Sequence, residues 1–195
     1  MISQKNILLL SGSVLASLGT AFLLYKQFGL ASRIVMAAKK YIGEREIEPD
    51  QGFVNKSFEK IMYQLGHWRP SSEWCACFAR LIWLLVLTGR KREIANRLLS
   101  PSSQLTFANF AADKSGLFEV SADNPKPGAI VIWQSRAQPH KGHAGIFITK
   151  LGKDFITIEG NQGQKVSICK YSPEKMQNPT QILKLRGFIN LKSII

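Results

Sequence analysis

The sequence has few cysteines. Cys75, Cys77 and Cys169 are the only three in 195 residues, too few for a disulfide framework. A single alanine separates Cys75 from Cys77, which is not the spacing of a C-x-x-C redox pair or of a zinc knuckle. We therefore expect no structural metal site and no disulfide scaffold.

Acidic residues are also scarce. There are 13 of them against 26 lysines and arginines, which gives a formal net charge of +13. A charge of this size favours polyanionic surroundings such as nucleic acid, anionic lipid or an acidic cell-wall polymer. The basic residues are spread along the chain and lack the aromatic-interleaved stripe of a nucleic-acid-binding module. We therefore expect no nucleic-acid partner.

One long uncharged run is present, ILLLSGSVLASLGTAFLLY at residues 7–25. Nineteen residues are about the length that spans a bilayer as a helix, so we predict a transmembrane segment. The chain then divides into a membrane anchor over 1–27 and one domain over 28–195. A cleaved signal peptide is an alternative, because Lys5 precedes the run, although large residues end it where cleavage needs small ones. A buried core helix is a further alternative.

Two helices are predicted directly after this run. Apolar residues recur at helical spacing over residues 31–41, and Gly43 follows where a C-terminal cap belongs. A second helix is expected from Asn55, a good N-cap residue, to Gly66. Both helices carry one apolar face.

A third helix is predicted over the segment WCACFARLIWLLVLTG, with Ser72 as its cap and Gly89 as its end. Its residues are apolar on every side, so it should be the central buried helix. Cys75 then lies in its first turn, where free backbone N–H groups and the helix dipole stabilise a thiolate. Cys77 faces roughly 200° around the helix from Cys75. The alternative for either cysteine is a small buried apolar residue.

From Pro125 onward the pattern changes to short β-rich runs separated by turn residues. The turns at 152–154 and 162–164 have hairpin-like spacing, which predicts an antiparallel sheet. Helices followed by strands indicate an α+β domain. The predicted strands span residues 129–133, 143–150, 154–161, 165–172 and 182–190.

Polar residues that could take part in catalysis lie at the ends of these strands. His143 begins a strand beside a loop, whereas His140 and His67 occupy positions typical of solvated histidines. Glu159 and Asn161 are two residues apart in an alternating run, so their side chains should project from one face. Such a pair beside an imidazole can fix its tautomer, as the third member of a catalytic triad does. A hairpin end with solvated polar groups is the alternative.

Four motifs together resemble the CHAP and related NlpC-type amidases, the bacterial and phage branch of the papain-like enzymes. SSEWCACFARLIW resembles the W-C-A-x-F signature, PKPGAIVIW the P-G-D-I-V-x-W strand, GHAGIFI the G-H-x-G-I segment and TIEGN the I-E-G-N segment. They occur in the family's order across residues 38–190. Ala129 departs from the pattern, since an acidic residue is usual at that position.

The resemblance implies an α+β papain-like domain, with N-terminal helices packed on an antiparallel sheet. It makes Cys75 the nucleophile, His143 the base, Glu159 the residue that orients the histidine and Asn161 a supporting polar group. Some CHAP domains bind calcium, but no aspartate-rich loop precedes Cys75, so we expect neither calcium nor another cofactor here.

The function implied by the resemblance is peptidoglycan hydrolysis, by an N-acetylmuramoyl-L-alanine amidase or a peptidoglycan endopeptidase. Phage lysis or infection and bacterial wall remodelling both fit. The alternatives are a non-catalytic, membrane-tethered wall-binding or virion structural protein, and a basic membrane or capsid protein without wall contact.

With the transmembrane segment predicted above, we expect a single-pass membrane protein. A wall-cutting enzyme needs its domain to face the cell wall. Four basic residues soon after the run, against Lys5 before it, favour the opposite orientation. The two expectations conflict.

Overall fold

The computed structural model of this chain describes residues 29–49, 51–172 and 181–192. Helices come first and strands afterwards, as an α+β domain requires. The helices are α1 (Leu30–Lys39), α2 (Lys56–Ile61), α3 (Cys75–Val86), α4 (Gly89–Leu98) and α5 (Ser103–Ala112). The strands are β1 (Phe118–Ser121), β2 (Ile130–Ser135), β3 (Gly142–Leu151), β4 (Asp154–Glu159), β5 (Ser167–Tyr171) and β6 (Leu183–Leu191).

The first two predicted helices are confirmed. Helix α1 buries Ile34 and Ala38 on its apolar face, and the chain leaves the following turn through Gly43 at φ +92°. Asn55 caps α2, because its side-chain oxygen accepts hydrogen bonds from the backbone of Ser57 and Phe58. A single π-helical turn, Met62–Gly66, extends α2 to the predicted end.

Helix α3 is the central buried helix that the sequence predicts. All of its residues except Leu85 are buried. Two details of the prediction are wrong. Ser72 does not cap α3, because its hydroxyl is hydrogen-bonded to the backbone of Arg69. Gly89 does not end α3 either, since α3 ends at Val86 and Gly89 begins α4.

Within the described residues, the sheet has six strands in the order β1-β6-β2-β3-β4-β5, and every neighbouring pair is antiparallel. The five predicted strands and their antiparallel pairing are confirmed. Strand β1 was not predicted, and it pairs with β6 at one edge.

The two faces of the sheet have different partners. One face packs against the helices and forms the main core with them. The residues that this face contributes are Ile130, Ile132, Ala144, Ile146 and Ile158. The other face forms a second apolar cluster, chiefly from Val131, Trp133, Phe147, Phe155 and Phe188. Because residues alternate between faces, His143, opposite Trp133, belongs to this second face.

The predicted membrane anchor, residues 1–27, lies outside the described residues. Within the part of the chain that the structure describes, no helix is both long and apolar enough to cross a bilayer.

Candidate active site

Cys75 is the first residue of the buried helix α3. Trp74 precedes it as the N-cap residue, and no side chain caps the helix. The first backbone N–H groups and the positive end of the helix dipole therefore stay available beside the sulfur, where they stabilise negative charge. Cys75 is only 5% exposed. The Trp74 ring fixes the helix start, because it is fully buried against Phe53 and Phe78.

His143 lies near the start of β3 and links two other groups of the site. Its Nε2 lies 2.9 Å from Oε2 of Glu159, and the charge of the Cys75 sulfur also acts on the ring and raises its pKa. Since Nε2 faces the carboxylate, Nδ1 is the ring nitrogen left for a second partner. Trp133 packs against the imidazole with 5.6 Å between ring centroids. The histidine side chain is 12% exposed.

Opposing effects set the pKa of His143. Burial disfavours the imidazolium, but the interaction with Cys75, together with the charge and hydrogen bond of Glu159, outweighs burial and raises the pKa to about 10. Imidazolium is therefore the form that the site stabilises at neutral pH. A protonated histidine beside the sulfur is the arrangement that activates a cysteine nucleophile.

Glu159 is the last residue of β4 and is fully buried, at 0% exposure. Its neighbour Ile158 pairs with Ile146 of β3, and Glu159 lies beside Gly145, the residue before Ile146. A Cβ atom on Gly145 would lie 2.6 Å from Cγ of Glu159, so only glycine leaves room for the carboxylate. Oε1 accepts a hydrogen bond from the Thr157 hydroxyl, and Oε2 accepts one from Tyr171 at 2.8 Å as well as facing His143. The carboxylate is held on both oxygens.

Residues 67–161 match the family model of the CHAP domain. These residues are similar to a CHAP domain. The matched segment includes the cysteine, the histidine and the glutamate whose geometry is given above, so the resemblance inferred from the motifs is confirmed. No protein of known annotation matches the chain in sequence.

Two solved structures are similar to this chain at low identity. The crystal structure of Ly7917 has a TM-score of 0.45 and 14% sequence identity. The crystal structure of Ly7917 with the hydrolysing product of MDP has a TM-score of 0.43 and 15% identity. Each match covers 83% of this chain and 62% of the Ly7917 chain. The chain thus spans less than two thirds of the length of these neighbours.

Asn161 does not share a strand face with Glu159. Strand β4 ends at Glu159, and Asn161 lies in the following turn with φ +58°, in the left-handed region. The alternation that was expected to carry both side chains therefore stops at Glu159. Glu159 is the residue that hydrogen-bonds His143. Whether Asn161 contributes to the chemistry stays a prediction.

The other cysteines and histidines lie in different surroundings. Cys77 is fully buried, and its burial and the neighbouring Cys75 raise the pKa of its thiol to about 12. His67 lies 3.3 Å from the guanidinium of Arg80, and its pKa is lowered by burial and by nearby arginines. His140 is exposed. The burial of Cys77 and the exposure of His140 agree with the sequence-based expectation of a small buried residue and a solvated histidine.

Sequence reasoning missed four residues that surround the histidine and the glutamate: Trp133, Gly145, Thr157 and Tyr171. Two of them had a signal in the sequence. Thr157 is two residues before Glu159 in an alternating strand, and Gly145 stands in the G-H-x-G-I motif. Trp133 and Tyr171 reach the site through strand pairing, which a single sequence does not reveal.

Proposed function

We propose that this chain is a peptidoglycan hydrolase that uses Cys75, His143 and Glu159 to cleave an amide bond of the wall peptide. The bond is the N-acetylmuramoyl-L-alanine amide or a peptide bond of the stem or bridge. One observation carries the proposal: the imidazole of His143 lies 2.9 Å from a fully buried carboxylate, and Cys75, at a helix start, acts electrostatically on the same ring. The CHAP match over 67–161 supports it. The papain-like fold is part of the same proposal.

The first half of the reaction is acyl transfer to the cysteine. The Cys75 thiolate attacks the amide carbonyl carbon and forms a C–S bond, while backbone N–H groups at the start of α3 stabilise the oxyanion. His143 gives its Nδ1 proton to the leaving nitrogen as the C–N bond breaks. An amine product and a thioester on Cys75 result. Glu159 keeps the imidazole oriented throughout.

The second half is hydrolysis of the thioester. Neutral His143 takes a proton from water, and the hydroxide attacks the acyl carbon. The C–S bond breaks, a carboxylic acid leaves, and the thiolate and imidazolium are restored. The balance is one amide and one water consumed for one acid and one amine.

The test is mass analysis of wall fragments. Full-length protein in detergent is incubated with purified peptidoglycan, and the soluble products are separated and weighed. Separation of peptide from glycan would identify an amidase, and shortened peptides would identify an endopeptidase. Binding of the protein to the wall without any released fragment would support the non-catalytic, wall-binding alternative instead.

We also propose that residues 7–25 anchor the protein in a membrane, with the CHAP domain on the side of the wall. The support is the uncharged run of 19 residues. Full-length protein is then expected in the membrane fraction until detergent releases it. Recovery in the soluble fraction with a new N-terminus beyond Tyr25 would show a cleaved signal peptide. Protease treatment of spheroplasts checks the orientation, since an outward domain is digested without lysis.

A methyl group at Gly145 should displace the catalytic carboxylate. Gly145→Ala is expected to lower kcat by about tenfold, because the new Cβ would lie 2.6 Å from Cγ of Glu159 and push the carboxylate from His143. The rate of fragment release measures the effect. Gly29→Ala is the matched control, since its Cβ would meet no atom of the described residues within 4 Å. Full activity of folded Gly145→Ala would contradict the assigned role of Glu159.

A further inference from the structure

The carboxylate of Glu159 has more hydrogen-bond donors than a bond to histidine needs. Oε2 accepts from Tyr171 at 2.8 Å and lies 2.9 Å from Nε2 of His143, while Oε1 accepts from Thr157. We propose that Tyr171 is a positioning residue of the active site, which holds Oε2 of Glu159 in line with the imidazole. For turnover, this inference rests on the proposed function.

Tyr171 contacts the catalytic pair in two ways. It is the last residue of β5, and the register of β4 against β5 brings it to the same sheet face as Glu159. Its hydroxyl bonds the carboxylate, and its ring lies 4.9 Å from the ring of Trp133. Trp133 in turn packs on His143. The phenol therefore fixes the carboxylate directly and the imidazole through one intervening ring.

The negative charge of the buried Glu159 carboxylate is a second reason for a hydrogen-bond donor at the position of Tyr171. A fully buried carboxylate loses its hydration, and hydrogen bonds to its oxygens restore part of that stabilisation. Tyr171 keeps its proton for this purpose, because burial and the charge of Glu159 both raise its pKa. Cys169 is a further protonated neighbour of Glu159, since burial and the same carboxylate raise the pKa of its thiol to about 12.

Among the described residues, the groups that act on the charge of His143 lie on three elements. Cys75 is on α3, Glu159 on β4, and Tyr171 and Cys169 on β5 act through Glu159. Removal of the Tyr171 hydroxyl leaves Oε2 with one donor fewer and frees the carboxylate to rotate. The hydrogen bond to Nε2 then weakens, and the imidazolium loses stabilisation.

The test compares Tyr171→Phe with wild type in the full-length protein. The chain contains three histidines, so selective ¹⁵N-histidine labelling gives three imidazoles whose protonation NMR follows against pH. We expect the titration midpoint of His143 to fall by about one pH unit in Tyr171→Phe. On a soluble wall peptide, kcat should fall about fivefold to tenfold with KM nearly unchanged, and its alkaline limb should move to lower pH.

The matched control is Tyr63→Phe. Tyr63 is half-buried and packs against Trp68, and its hydroxyl is not among the groups that bond Glu159. This variant should keep the wild-type midpoint and rate. A role for Tyr171 in folding alone would lower the melting temperature and leave the His143 midpoint in place.

Two results would overturn the inference. One is an unchanged midpoint in folded Tyr171→Phe, and the other is a higher midpoint, as expected if Tyr171 merely competes with His143 for Oε2. If Tyr171→Phe fails to fold, the second variant is Thr157→Val, which removes the hydrogen-bond donor to Oε1 of Glu159. The titration midpoint of His143 should then also fall. An unchanged midpoint in Thr157→Val would overturn the inference as well. The NMR titration needs no substrate, so it stays decisive even if the protein cuts no peptidoglycan.

Discussion

Replacement of Cys75 by serine is expected to lower the rate of peptidoglycan hydrolysis by at least about 10⁴-fold. The serine hydroxyl keeps its proton at neutral pH, so it cannot supply the anionic nucleophile that the proposed mechanism requires. Helix α3 should remain intact, because serine is nearly isosteric with cysteine and Cys75 opens the helix, where serine is tolerated. Fragment release from purified peptidoglycan, measured by mass analysis, gives the rates.

The chain offers a matched control two residues away. Cys77 is fully buried on the same helix, and its raised thiol pKa of about 12 makes it a poor nucleophile. Cys77→Ser should keep most of the activity, apart from losses caused by a polar group in the core. Equal loss of activity in the two folded variants would show that the assignment of Cys75 is wrong. Iodoacetamide should modify Cys75 in wild type and spare Cys77.

The fold was predicted where periodicity was strong. Helix α3 is apolar on all sides and was recognised as the buried centre, and five strands were placed by their short β-rich runs between turn residues. These features depend on hydrophobic pattern alone, which a sequence displays directly. Antiparallel pairing followed from hairpin-like turn lengths.

Helices α4 and α5 were missed because neither displays a clear apolar stripe. Helix α4 is largely charged and buries only Ile94 and Ala95. Helix α5 buries the polar residues Gln104 and Thr106, so the sequence pattern predicts a solvent-exposed face where the helix is in fact buried. Strand β1 has four residues and takes its place through pairing with β6. Tertiary contacts, rather than local pattern, define these three elements.

Those parts of the candidate site that depend on sequence motifs and on local geometry were predicted. Cys75 and His143 were placed by a helix start and a strand start, and both positions are confirmed. Glu159 was not ranked firmly above Asn161, since alternation treats residues two apart alike until the strand ends. The strand ends between them because the turn takes positive φ values at Asn161, Gly163 and Gln164. Tyr171 depends on the pairing of β5, which sequence spacing does not fix.

Glu159→Gln should lower turnover by about tenfold to a thousandfold, the second largest effect expected here. The neutral amide still reaches His143 and orients it, but it no longer balances the charge of the imidazolium. The raised pKa of His143, about 10, should therefore fall toward its ordinary value. A histidine with a raised pKa is protonated below that pKa and loses its proton as pH rises through it. The alkaline limb of the pH–rate profile should accordingly move to lower pH.

Asn161→Ala is the comparison that ranks the two polar residues. Asn161 lies beyond the end of β4, in the left-handed turn, whereas Glu159 bonds the imidazole directly. We therefore expect Asn161→Ala to cost less activity and to leave the alkaline limb in place. Profiles of kcat against pH for both variants on the same wall peptide decide the question. If Asn161→Ala is the more damaging change and Glu159→Gln keeps the wild-type profile, the third catalytic position belongs to Asn161, and the buried carboxylate has a structural role.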